Sequence, residues 1–305
     1  MPGSSYIKPA GNGAASSSRG HNWGDRLFRW TCLGFSLLIL GLVAGLAGEL
    51  AWNSRLAFRA FGPSFLWTQI WDPVAEHFGA RPFIYGTLVT SAIALAIAIP
   101  LGLGTAVFLA ELAPPRLSET IGFLVELLAA VPSVIYGLVG VFVLVPAVRQ
   151  TGWTPHGVGL LTAGIILAVM IVPFITTVSR EVLLTVPRSQ REAALAIGAT
   201  HWETVWTAIL PYARSGIAGS VFLALARALG ETMAVTMVVG SRPEIHASLL
   251  EPGYTMAAVL ANEFTEATGD LYLHSLIGIA LVLFGITIVV NGLARLMLLK
   301  LGHSR

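Results

Sequence analysis

The chain has 305 residues, of which 55% are apolar and only 11% charged, and a formal net charge of +2. Its mean hydropathy is +0.77. A soluble domain carries about 25% charged residues, so this composition excludes one and indicates a polytopic membrane protein. The net charge is too small to identify a partner. Cys32 stands alone and makes no internal disulfide. The seven histidines are too scattered for a metal site.

Residues 1–25 are rich in Gly, Ser and Ala and lack apolar periodicity, which predicts a disordered tail. Six apolar stretches follow, near 30–51, 84–110, 119–147, 158–178, 216–240 and 274–298. Each is long enough to cross about 30 Å of hydrocarbon. The first has no clear cleavage pattern and reads as a retained helix, not a signal peptide. Pro100, Pro132 and Pro173 fall inside spans two, three and four, where each frees a carbonyl that protein or a cavity must satisfy.

Most Lys and Arg residues fall on one side of this topology: Lys8, Arg19, Arg26, Arg29, Arg116, Arg180, Arg188, Arg191, Arg214, Arg295, Lys300 and Arg305. The other side holds Arg55, Arg59, Arg81, Arg149 and Arg242. The asymmetry predicts that both termini are cytoplasmic. On the opposite side, Trp52, Trp67 and Trp71 read as interfacial anchors.

The connection at about 179–215 contains "REAALAIGATHWETVWTAILPYARSG". Apolar residues run to Ile197, and Gly198 reads as a helix C-terminal stop. Thr200 with Glu203 three residues on forms a capping box that starts a second helix. Ala193 and Ala194 leave room for another surface to approach closely. An ordinary amphipathic interfacial hairpin fits the same pattern.

The fifth stretch contains "ALARALGETMAV", which places Arg227 and Glu231 in an otherwise uncharged run. Arg227 lies about 16 Å along the helix from Gly216, near mid-membrane. An ionised side chain there costs about 2.5–3.5 kcal/mol and should face protein or water. On one continuous helix, Ser220, Ala224, Arg227, Glu231, Ala234 and Val238 share a face, opposite Phe222, Leu225 and Leu229. An internal ion pair is the competing reading. Arg before Glu is the poorer order at this spacing, however, and such pairs yield only about 0.2–0.5 kcal/mol. The planar Arg227 fork suits an oxyanion such as phosphate or sulfate, with Glu231 orienting it. Apart from Arg295, close to the cytoplasmic end of the sixth, no further Lys or Arg falls in the six stretches. For Glu126 the choice is between a structural hydrogen bond and a gating contact. For Ser133 it is between bonding a freed carbonyl and touching substrate.

Two sets of motifs carry a family resemblance. Glu192, Ala193, Ala194, Gly198, Leu210 and Pro211 resemble the EAA loop of ABC importer permeases, although Ala208 stands where Ile is usual. The segments "FLWTQIWDP" (65–73), "IYGTLVTS" (84–91), "FLAELAP" (108–114), "ELLAAVPSVIYG" (126–137), "LARALGETMAV" (225–235) and "ANEF" (261–264) resemble phosphate-specific importer permeases of the PstC type.

The resemblance implies an all-α, type I ABC importer permease fold over 26–305, in a bacterial inner membrane. It implies that Arg227 and Glu231 act in phosphate passage and that the loop docks a cytoplasmic ATPase dimer of the PstB type. It also implies a second permease of the PstA type and an extracytoplasmic phosphate-binding protein of the PstS type. Lipid surrounds such a chain, and no nucleic acid is involved.

The chain itself is expected to be non-catalytic and without cofactor. Its only lysines, Lys8 and Lys300, do not follow a Gly as a Walker A lysine must. ATP and Mg would therefore be bound by the partner ATPase. A secondary anion transporter is the alternative, opposed by the EAA loop and by the lack of an evident internal repeat. An intramembrane enzyme would need a catalytic constellation that the spans lack.

Overall fold

The computed structural model describes residues 23–152 and 154–302. The expected tail at 1–25 lies outside them except for residues 23–25, which already belong to the first helix, α1 (Trp23–Asn53). The chain divides into two units at Gly48. In the first, α1 is long and apolar enough to cross a membrane, and none of its residues is buried.

The second unit opens with the last residues of α1 from Glu49, followed by α2 (Arg55–Phe61) and one tight turn at Gly62–Leu66. A two-residue antiparallel hairpin follows, β1 (Trp71–Asp72) with β2 (His77–Phe78). Next come α3 (Arg81–Val107), α4 (Pro115–Ala130), α5 (Ser133–Val139), α6 (Val145–Gln150) and α7 (Leu160–Leu184). The chain closes with α8 (Arg188–Ala196), α9 (His201–Thr204), α10 (Leu210–Leu229), α11 (Met233–Val239), α12 (Met256–Glu263) and α13 (Asp270–Gly302). Single wide turns at Phe108–Leu112, Gly140–Leu144 and Val205–Ile209 extend or join helices without breaking them. Apart from the hairpin and an isolated bridge between Gly240 and Gly253, the regular structure of the described residues is helical, and six helices are long and apolar enough to span a membrane.

Three of the expected elements differ. The stretch 119–147 is broken at Val131 and Pro132, both extended, into α4 and α5. The reason is local, because a residue before proline is driven out of the helical region. The stretch 216–240 is likewise broken, between Leu229 and Met233. Gly230 favours a stop there, and Thr232 stands at the N-cap of α11. Finally, α7 does not end at 178 but continues to Leu184.

α7 lies at the centre of the second unit. Its buried residues Leu167, Met170, Ile171 and Ile175 pack with Ala94 and Ala98 of α3 and Ala224 of α10. Small polar residues close these contacts. Thr176 Oγ1 donates to the Gly102 carbonyl at 3.2 Å, and the hydroxyls of Ser179 and Ser220 meet at 2.8 Å. Such short side chains let helices approach closely where lipid supplies no hydrophobic drive. A close crossing also joins α5 to α11. A Cβ added to Gly137 would stand 2.5 Å from the Met237 sulfur and 3.1 Å from Ala234 Cα.

A second core is aromatic and ties the hairpin to α3, α12 and α13. Trp71 meets Phe78 and Phe83 edge-on, each at 4.9 Å, and Phe78 stacks on Tyr272 at 5.3 Å. Trp71 therefore does not behave as the expected surface anchor. It is buried, and its indole N–H donates to Glu263 at 2.9 Å. Trp52 and Trp67 are exposed, as an anchor must be. At the edge of this core Asn262 donates to the Tyr254 hydroxyl at 3.0 Å, and burial pushes that phenol up to about 12.

Candidate substrate pathway and coupling site

The break in the fifth stretch reorganises the charged pair. Arg227 sits in the last turn of α10 and Glu231 just ahead of α11. Each charge thus lies at the helix end whose dipole favours it, the cation at a C-terminus and the carboxylate at an N-terminus. Glu231 Oε1 accepts the Ala234 N–H at 3.1 Å, which occupies one of the unpaired donors opening α11. Among the described residues no ion pair joins Arg227 to Glu231. The Arg227 guanidinium instead lies over the Phe174 ring, 4.3 Å from its centroid, and the residue is exposed. A ring face holds a cation in place while leaving its outward N–H donors for an anion.

Ser220, Ala224 and Arg227 share one face of α10, as expected, but that face lies against α7, and the break after Leu229 separates it from Glu231, Ala234 and Val238. Ser220 and Ala224 are buried against α7, and the Ser220 hydroxyl also donates to the Ile217 carbonyl at 2.8 Å. Ala234 and Val238 are buried on α11, beyond the break.

On the neighbouring elements, Ser133 opens α5 half-buried, and Glu126 is exposed on α4. Pro132 has no N–H to give the carbonyl of Leu128. That carbonyl receives the Val131 N–H at 3.2 Å and the Tyr136 hydroxyl at 2.7 Å, so the side-chain bond suggested for Ser133 is made by Tyr136. The sequence reading does not single out Tyr136, although its place one helical turn beyond the proline is the available signal. Glu126 borders a crevice with Gly122, Thr176, Thr177 and Arg180. Arg180 therefore lies on the membrane-length helix α7, where the sequence reading puts it in a loop. It donates to Ser118 at 3.2 Å and to Glu181 at 3.3 Å.

At the other expected site, α8 ends as foreseen. Gly198 has φ +92°, its N–H reaches the Leu195 carbonyl at 3.0 Å, and the Ala199 N–H reaches that of Ala194 at 3.2 Å. This paired closure needs a left-handed residue, which glycine supplies without strain. The capping box is present: Thr200 Oγ1 accepts the Glu203 N–H at 3.2 Å, and Glu203 accepts the Thr200 N–H at 2.8 Å. The helix it opens runs on from His201 through the wide turn to Leu229. Leu210 is half-buried and Pro211 exposed at the start of α10, where its missing N–H costs little just after a wide turn. Glu192 and Ala193 face outward, whereas Ala194 is buried within the chain. Beyond the turn Ile197 is 88% exposed.

Underneath, the structure joins two residues that the sequence leaves apart, Arg191 as a loop charge and Glu111 as one letter of a motif. They meet at 2.7 Å between Nη2 and Oε1 and at 3.3 Å between Nε and Oε2.

Known proteins with similar sequences and folds agree with this architecture. A family profile described as "Binding-protein-dependent transport system inner membrane component" matches residues 98–301. The phosphate transport system permease protein PstC of Mesorhizobium japonicum is 47% identical, over 91% of this chain and 90% of that protein. The PstC permeases of Haemophilus influenzae (43% identical, 93% and 96% covered) and Pasteurella multocida (41%, 94% and 96%) are similar over as much of their length. Among solved structures, a bacterial alginate ABC transporter chain superposes with a TM-score of 0.61 at 15% identity, covering 91% of this chain and 96% of that one. A chain of the MetNI methionine ABC transporter gives 0.58 at 18% identity, with 76% and 99% covered.

Proposed function

We propose, from the premise that this chain belongs to the binding-protein-dependent transport system inner membrane components and within them to the PstC permeases, that it is the translocation subunit of an ATP-driven phosphate importer. One observation carries the substrate: similarity to phosphate permeases over nine-tenths of the chain. Physical chemistry agrees without choosing between phosphate and sulfate, since an exposed guanidinium on a ring face suits either anion.

In this reading phosphate is delivered by an extracytoplasmic binding protein and passes Arg227, where the fifth span is broken. Binding there must be strong enough to admit the anion and weak enough to release it. A ring-held guanidinium provides a shallow site of that kind. Glu231 shapes the break by capping α11, and Ser133 and Glu126 border the path. Ser220 contributes by holding α10 on α7. The chain performs no hydrolysis. Its α8–Gly198 tip, with Glu192, Ala193 and Ile197 outward, docks an ATPase dimer that binds ATP and Mg, beside a second permease. Both termini lie in the cytoplasm.

The test is phosphate uptake by the reconstituted complex with Arg227→Gln, with sulfate as competitor. A lost charge-assisted hydrogen bond is worth about 1.5–3 kcal/mol, so uptake should fall about ten- to a hundredfold with the complex still assembled. Wild-type uptake by that variant would remove Arg227 from the path, and equal uptake of sulfate would overturn the substrate.

A further inference from the structure

The Arg191 guanidinium makes four hydrogen bonds, and its partners belong to different elements. It is rooted on α8. Nε and Nη2 hold both carboxylate oxygens of Glu111, in the wide turn that ends α3. Nη1 donates to the Val186 carbonyl at 2.6 Å and Nη2 to the Leu183 carbonyl at 3.0 Å, closing the C-terminus of α7. Only 23% of the Arg191 side chain and 12% of the Glu111 side chain is exposed. The layer beneath is apolar, formed by Val107, Leu183, Val186, Val205 and Ile209. Apolar contacts carry no direction and allow sliding, whereas a bidentate ion pair fixes distance and direction together.

We propose that the Glu111–Arg191 pair is the positioning link that makes α3 and α7 follow α8, and so converts displacement of the docking helix into movement at the anion site. The geometry supplies the connection at both ends. On α8 the residues that follow Arg191 turn outward, with Glu192 and Ala193 exposed. On α7 one continuous helix leads from Leu183 back to Phe174, the ring beneath Arg227. With the pair broken, α8 still docks the ATPase but its displacement is lost against the apolar layer. A single buried partner left behind would also be uncompensated, which further loosens the joint.

The inference rests on the importer reading above, and the readout separates the two. It is the number of ATP molecules hydrolysed per phosphate moved by the reconstituted complex, for wild type, Glu111→Gln, Arg191→Gln and the double variant. Each single change should raise the ratio at least about fivefold, the lower end of typical coupling between sites, with the ATPase still bound. The double variant should be no worse than the worse single one, because both remove one link. An unchanged ratio in an assembled complex, or effects that add in the double variant, would overturn the proposal. If Glu111→Gln fails to assemble, Arg191→Lys decides: it keeps the charge but not the fork, and an unchanged ratio again overturns the link. A wild-type complex that moves no phosphate would instead sink the importer reading.

Discussion

Arg227 and Glu231 stand four residues apart, yet each is bound to something other than its neighbour. The cation lies on Phe174 and the carboxylate caps α11. The division of labour predicts different outcomes for two changes at Glu231. Glu231→Gln keeps an oxygen for the Ala234 N–H, whereas Glu231→Ala removes the cap and should cost about 1 kcal/mol. In thermal denaturation of the purified complex, Glu231→Ala should melt about 1–2 °C below Glu231→Gln. Equal melting would show that the cap is not what Glu231 supplies. The presence of two charges in an apolar run was legible from the residues alone. Their partners were not, because the four-residue spacing implies contact only if the helix is continuous, and Gly230 ends it.

Among the elements, the turn after α8 is determined by one backbone angle. Gly198 has open space around its Cα, so an added methyl would meet no neighbour. Gly198→Ala therefore reports the left-handed conformation by itself, a cost of about 1–2 kcal/mol. It should fray the end of α8 and lower the share of ATPase that copurifies with the chain. Unchanged copurification would show that the turn is not needed for docking. This element was readable in advance, down to the capping box, since stop and start signals act within a few residues. The broken spans were less so. Pro132 and the Gly-Glu-Thr run carried the signals, but apolar content over a window hides a two- or three-residue break.

For the whole molecule the open choice is orientation. If α8 and its turn face the cytoplasm, a cysteine at Ile197 in a Cys32→Ser background should react with an impermeant thiol reagent in inverted vesicles but not in intact cells. It should also be shielded when the ATPase is bound. Labelling in intact cells would invert the topology argued from Lys and Arg placement. Ile197 suits the purpose because it is almost fully exposed and lies outside the apolar cores.

Composition and window hydropathy by themselves determined that this is a six-span helical membrane protein, because the bilayer demands long apolar helices whatever their neighbours. Local signals determined the turn after α8, because caps and glycines act over a few residues. Only the tertiary structure decided that Trp71 is core, that Tyr136 rather than Ser133 meets the carbonyl freed by Pro132, and that Arg191 grips Glu111. Those contacts join residues on different elements, and a side chain's partner across a helix interface is set by how the helices pack, which no local pattern encodes.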